Sequence, residues 1–238
     1  DMLQEQAHEF TGRFKVQVAG PWTLAASVFR PLGGRVLADR GARRDLAQSL
    51  AQGTSDLLAE IADKLPGAEL VLQVDEPALP AVLAGGVPTE GGYFRHRSID
   101  RPEAAEALRL LGALTPGAVL HCCDWGLQPS LVTQSGFGAL SVDQDRVADW
   151  DAVAEFVDGG RSLYLGCLPT ASERTWSADE LVTRALRVLR PLELGDRLAD
   201  TLMLTPACGV PGWSPRGASA ATNALLRAAP LVDEALRN

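Results

Sequence analysis

The sequence predicts an α/β protein of the (β/α)8 TIM-barrel type, with six βα units visible. Three observations predict it. Apolar, strand-like runs alternate six times with stretches of helical period, the pattern of a parallel sheet with helical crossovers. The length, 238 residues, is close to the ~250 of a one-domain barrel. The chemically active side chains Asp75, His121, Cys123, Asp143 and Cys208 sit at or just past the C-terminal ends of apolar runs, where barrels carry their sites. Six units are two short of closure, and the first two are expected before residue 1. Residues 1–238 are therefore read as a single, N-terminally incomplete barrel domain. Such a remnant taken alone would have open sheet edges, which are a pairing hazard.

Each element has its own signal. Residues 1–10 are polar and suit the end of a helix. Residues 14–20 alternate as a strand, and Gly20-Pro21-Trp22-Thr23 turns the chain with Trp22 at the strand's exit. From about 42 to 65, Leu46, Leu50, Leu57, Leu58, Ile61 and Leu65 recur at helical spacing until Pro66-Gly67 stops them. Residues 69–74 form the next strand and deliver Asp75-Glu76-Pro77. Pro77 disfavours helix at Glu76, so an extended turn is expected there. Residues 85–100 form a long, Gly- and charge-rich loop, in which Arg95, His96 and Arg97 either clamp an acidic group or are simply solvated. Pro102 suits the first turn of a helix carrying Ala104, Ala105, Leu108 and Leu111.

The second half continues the alternation. Residues 117–120 are a strand that runs into His121-Cys122-Cys123-Asp124-Trp125, followed by a short helix at 129–134. Residues 139–142 are a strand ending in Asp143, before a helix near 150–157. Residues 162–168 are another strand. Ser177-Ala178-Asp179-Glu180 matches a capping box and opens a helix with Leu181, Val182, Ala185, Leu186 and Leu189. Residues 201–204 are the last strand, ending near Cys208, and a helix from about 218 to 236 closes the chain.

Composition excludes several classes. The net charge of −8 repels phosphate backbones, so no nucleic-acid partner is expected. No apolar run approaches the ~20 residues of a membrane span. The four cysteines, Cys122, Cys123, Cys167 and Cys208, lie in strand-like runs and do not resemble a disulfide framework, which predicts a reducing, cytoplasmic setting. No Gly-x-Gly-x-x-Gly or Walker-type loop follows a strand, against a nucleotide-binding sheet.

The residues that could carry chemistry are few. In a strand, His121 and Cys123 face one way and Cys122 the other. An imidazole beside a thiolate is half of a tetrahedral zinc site, with Cys208 the best further thiolate and Asp143 the best carboxylate. Free cysteines also simply pack, and Cys122 and Cys167 are read that way. Asp75, at the end of the largely apolar run Leu70-Val71-Leu72-Gln73-Val74, is read as functional, and Glu76 as fixing the loop. Trp22, Trp125 and Trp213 either line the mouth and stack on a donor ring or cap the barrel.

Gln73-Val74-Asp75-Glu76-Pro77-Ala78-Leu79, His121-Cys122-Cys123 and Pro206-Ala207-Cys208-Gly209 resemble the catalytic barrel of cobalamin-independent methionine synthase. From about Lys15 to the C-terminus the chain is similar to the short, single-barrel actinobacterial relatives of that enzyme. The resemblance implies a zinc cofactor held by His121, Cys123, Cys208 and a carboxylate. The family's carboxylate is usually Glu; here Asp143 matches it, with Asp145 as a fallback. It implies that Asp75 is the catalytic contact to the amino group of an amino-acid substrate; Glu76 and Trp22 are kept beside it as further candidate substrate-binding residues. The activity implied is methyl transfer from a methyl donor to a small, homocysteine-like thiol, in methionine biosynthesis. The family also carries a proton-donating His after the strand here written Tyr164-Leu165-Gly166-Cys167-Leu168-Pro169-Thr170, and none occurs there. A folate nitrogen must be protonated to leave. Two alternatives stay open: a metal-free enzyme like uroporphyrinogen decarboxylase, and a catalytically inactive barrel acting as a binding protein.

Overall fold

Six parallel strands follow one another in sheet order as they do in the chain: β1 (Gly12–Ala19), β2 (Ala68–Asp75), β3 (Val119–Cys122), β4 (Ala139–Asp143), β5 (Ser162–Leu168) and β6 (Leu202–Pro206). The computed structural model describes residues 2–31 and 33–238. The two units expected before residue 1 lie outside the described residues. The helices are α1 (Met2–Ala7), α2 (Pro21–Ser27), α3 (Arg40–Lys64), α4 (Leu79–Leu83), α5 (Arg101–Gly112), α6 (Pro129–Gln134), α7 (Trp150–Asp158), α8 (Ala178–Leu189), α9 (Asp196–Thr201) and α10 (Pro215–Arg237).

Three of these helices differ from the sequence reading. The turn expected after Gly20 is α2, because Pro21 stands at the first helical position, where its missing N–H costs nothing. The extended turn after Asp75 soon gives way to α4, and α9 precedes the last strand. Helices of seven, five and six residues are too short to show a hydrophobic period.

The chain divides into two compact units. The first comprises Asp1–His121 with Leu131–Gly138. Its strands pair β1–β2 and β2–β3 in register, Ala19 opposite Asp75 and Asp75 opposite His121. The long helix α3 presents Leu58 and Ile61 to Val16 on β1, with Leu65 just past its end. Phe14, Leu70 and Leu114 fill the margin of that cluster. Asp39 caps α3 by accepting from Ala42 N–H, and Arg43 clasps Glu103 of α5 through both Nε and Nη2.

The second unit comprises Cys122–Ser130 with Ala139–Asn238. Here β4, β5 and β6 pair in parallel, and β5 is buried along most of its length, as a strand covered on both faces must be. The capping box on α8 is complete: Ser177 accepts from Glu180 N–H and Glu180 accepts from Ser177 N–H. Leu181, Ala185 and Leu189 form its buried face, and Ala221, Ala224, Leu225 and Ala228 that of α10.

Candidate active site and metal-binding cluster

Strand alternation puts Lys15, Gln17, Gln73, Asp75 and His121 on one face of the first unit's strands. Gln17 lies opposite Gln73, and Ala19 opposite Asp75. Two hydrogen bonds join three of these side chains. Lys15 Nζ donates to Gln73 Oε1 at 2.5 Å, and Gln73 Nε2 donates to Asp75 Oδ1 at 2.7 Å. Desolvation lowers the pKa of the Lys15 ammonium, while the nearby Asp75 carboxylate works the other way. The sequence reading found Asp75 but missed Lys15 and Gln73. The available signal was parity: both are polar and fall on the same side of their strands as Asp75.

Glu76 and Trp22 are placed differently from Asp75. Glu76 is 0 % exposed and Trp22 2 %. The Glu76 carboxylate accepts Trp22 N–H at 2.8 Å, Thr23 N–H at 2.8 Å and the Thr23 hydroxyl at 2.7 Å. These amides belong to the first turn of α2, which has no intrahelical acceptors for them. A carboxylate from β2's exit thus caps a helix more than fifty residues away and meets the positive end of its dipole. Burial pushes the Glu76 carboxyl up to about 7, with the three donors pulling against it. Gly20 is needed here, because a Cβ would overlap the Glu76 carboxylate. The Trp22 indole donates to Ala104 O at 3.2 Å. Both side chains are occupied in holding α2 and α5 to β2.

The thiols converge. Cys123 lies just past β3, two residues beyond His121, and Cys208 lies just past β6. One ligand atom from each of His121, Cys123 and Cys208 falls within 4.8 Å of the others. Cys123 is pushed up to about 12, by desolvation first and then by the adjacent Cys208 sulfur, with Asp143 adding to it. Cys123 so placed resists ionisation by itself. A divalent cation reverses that preference, and an imidazole with two thiolates is a donor set zinc takes readily.

The chain matches the family described as cobalamin-independent synthase, catalytic domain, over residues 11–230. It belongs to that family. The match runs through both compact units. The chain is also similar to a solved B12-independent methionine synthase from Shewanella sp. W3-18-1 in complex with selenomethionine. The TM-score is 0.65 at 18 % identity, over 93 % of this chain and 62 % of that one. The chain thus spans less than two thirds of that protein's length. The likeness gives the fold, an α/β architecture of TIM type. No curated protein sequence matches the chain. Among the described residues no helix is long and apolar enough to cross a membrane.

In this synthase-family chain Asp143, at the end of β4, stands outside the group of three. Its Oδ1 accepts Asp145 N–H at 3.0 Å, and its Oδ2 lies 3.9 Å from Arg146 Nε. Desolvation, chiefly, raises its pKa. Asp145 is drawn to Arg184, at 2.6 Å. Arg146, which the sequence reading passed over, lies 3.7 Å from Asp124 and 5.8 Å above the ring of Trp125. Trp125 is 53 % exposed. Trp213 is half-buried. Arg95 is spent inside its own loop, donating to Gly86 O at 2.6 Å. Cys122 and Cys167 are buried, and burial pushes Cys167 up to about 12.

One glycine sets the position of Cys208. Gly166 in β5 faces Ala207, and a Cβ there would stand 2.6 Å from Ala207 Cα and 2.6 Å from Val142 O. Both neighbours are backbone, so neither can move aside cheaply. Gly166→Ala is expected to push the end of β6 outward, costing ~1–3 kcal/mol. Any metal affinity of the His121, Cys123 and Cys208 group should fall with it, although none of the three is changed. Urea unfolding and a competitive chelator titration check the two effects separately.

Proposed function

We propose that this chain is a zinc-dependent methyltransferase that activates a small, homocysteine-like thiol, the sulfur displacing a donor from its methyl carbon. The observation that carries this is the approach of the His121, Cys123 and Cys208 ligand atoms to within 4.8 Å. These three would hold the metal. Three protein donors are one fewer than a closed structural site uses, as in catalytic zinc centres. Zinc, when bound, favours the deprotonated thiol and so supplies a nucleophilic sulfur at neutral pH.

The chain's own residues do the rest. Asp75, beside His121 in register, meets the ammonium group of an amino-acid substrate. Glu76 and Trp22 act through α2, whose first turn they fix against the exit of β2. Asp143 contributes negative charge close to Cys123, which keeps electron density on the thiol cluster once a cation is present. The family of the chain and the selenomethionine in its structural relative agree with an amino-acid sulfur substrate.

Metal analysis of protein purified without chelator tests this. About one zinc per chain is expected in the wild type and none in Cys208→Ser. A wild type that stays zinc-free after reconstitution overturns the reading.

A further inference from the structure

Lys15 lies on β1, two strands from His121, and carries nothing in the chemistry proposed so far. Its side-chain hydrogen bond to Gln73 determines what it does. A lysine ammonium can only donate and a carboxylate can only accept, whereas a glutamine amide has one end of each kind. Between Lys15 and Asp75, Gln73 therefore has one satisfied orientation: oxygen toward Lys15, nitrogen toward Asp75. The reverse orientation sets NH2 against ammonium and oxygen against carboxylate. Gln73 is buried, so it cannot turn to water instead. Among the described residues no ion pair joins Lys15 directly to Asp75, and no side chain donates to Asp75 Oδ2.

We infer that Lys15 is a positioning residue for substrate recognition. Through Gln73 it polarises the hydrogen bond that holds Asp75 Oδ1, and so presents Oδ2 to the substrate's ammonium group. The inference rests on the assignment of Asp75 above. It adds that recognition of the amino group depends on a charge two hydrogen bonds away. Lys15→Met frees the Gln73 amide to flip and leaves the carboxylate without a fixed donor. The loss should be selective, falling on ligands with an α-amino group and sparing those without one.

Calorimetric binding of L-selenomethionine and of its des-amino analogue tests this on the zinc-loaded chain. Lys15→Met should weaken L-selenomethionine by ~10-fold and the des-amino analogue by less than ~3-fold. Lys15→Arg, which still donates, should restore most of the affinity. Gln73→Glu, which accepts from Lys15 but cannot donate to Asp75, should show the same selective loss. Equal weakening of both ligands in Lys15→Met, or no change in either, overturns the inference. Zinc is counted in the same samples. A zinc-loaded wild type that does not distinguish the two ligands sinks the Lys15 assignment and leaves the metal reading standing. Selective loss in a chain that never takes up zinc does the reverse.

Discussion

Glu76→Ala should cost about 4 kcal/mol of folding stability at pH 5, measured by urea unfolding. The side chain is fully buried and accepts three hydrogen bonds. Its removal strands two backbone amides and a hydroxyl, each worth ~1–3 kcal/mol when buried and unsatisfied, and opens a void beside Gly20. The cost also depends on pH. Glu76 rises to about 7 in the folded chain, against ~4.3 when unfolded. Between those values the native state binds more protons than the unfolded state. The stabilisation is therefore complete below about pH 4 and is lost as pH rises through 7. From pH 5 to pH 8 the wild type should lose about 2–3 kcal/mol that Glu76→Ala does not lose. Parallel pH profiles for the two proteins would show that Glu76 does not titrate with folding. A cost under ~1 kcal/mol at pH 5 would show that water replaces the carboxylate at the helix end.

What the sequence revealed and what it concealed divide along a physical line. The strands were legible because parallel strands covered on both faces are written as apolar runs, such as Leu70-Val71-Leu72 and Ser162 to Leu168. The exits of those runs were legible because an acid, a histidine or a cysteine after apolar residues breaks the pattern. The His121, Cys123 and Cys208 convergence followed from strand ends sharing one side. Side-chain partners were not legible. Glu76 finds its donors at Trp22 and Thr23, and Gln73 finds Lys15, across separations of more than fifty residues that no local spacing encodes. Asp143 shows the same limit from the other side. Its position at the end of β4 was readable, but its carboxylate turns to the Asp145 amide, an interaction set by the turn that follows. Short helices α2, α4 and α9 were hidden because capping and proline, and not periodicity, define them.

Zinc binding should release protons, and the count should change with Cys123. A thiol pushed up to about 12 is protonated throughout the neutral range, so a cation can bind its sulfur only by displacing that proton. Apparent zinc affinity should then rise by at least ~10-fold per pH unit between pH 6 and pH 8 from this thiol alone. Titration calorimetry in buffers of different ionisation enthalpy should count one or more protons released per zinc. Cys123→Ser should lower both the count and the affinity, the latter by ~100-fold or more, and His121→Ala should lower the affinity without lowering the proton count by as much. Zinc release without any proton dependence would mean that the sulfurs are not ligands. The two titrations run in opposite directions. Rising pH weakens the unliganded chain through Glu76 and strengthens the metal complex through Cys123. The melting temperature should therefore fall with pH in the presence of a chelator and fall less, or rise, with zinc in excess. That divergence depends on two groups in different places, a helix cap and a thiol, so a variant at one should flatten its own curve and leave the other's slope intact.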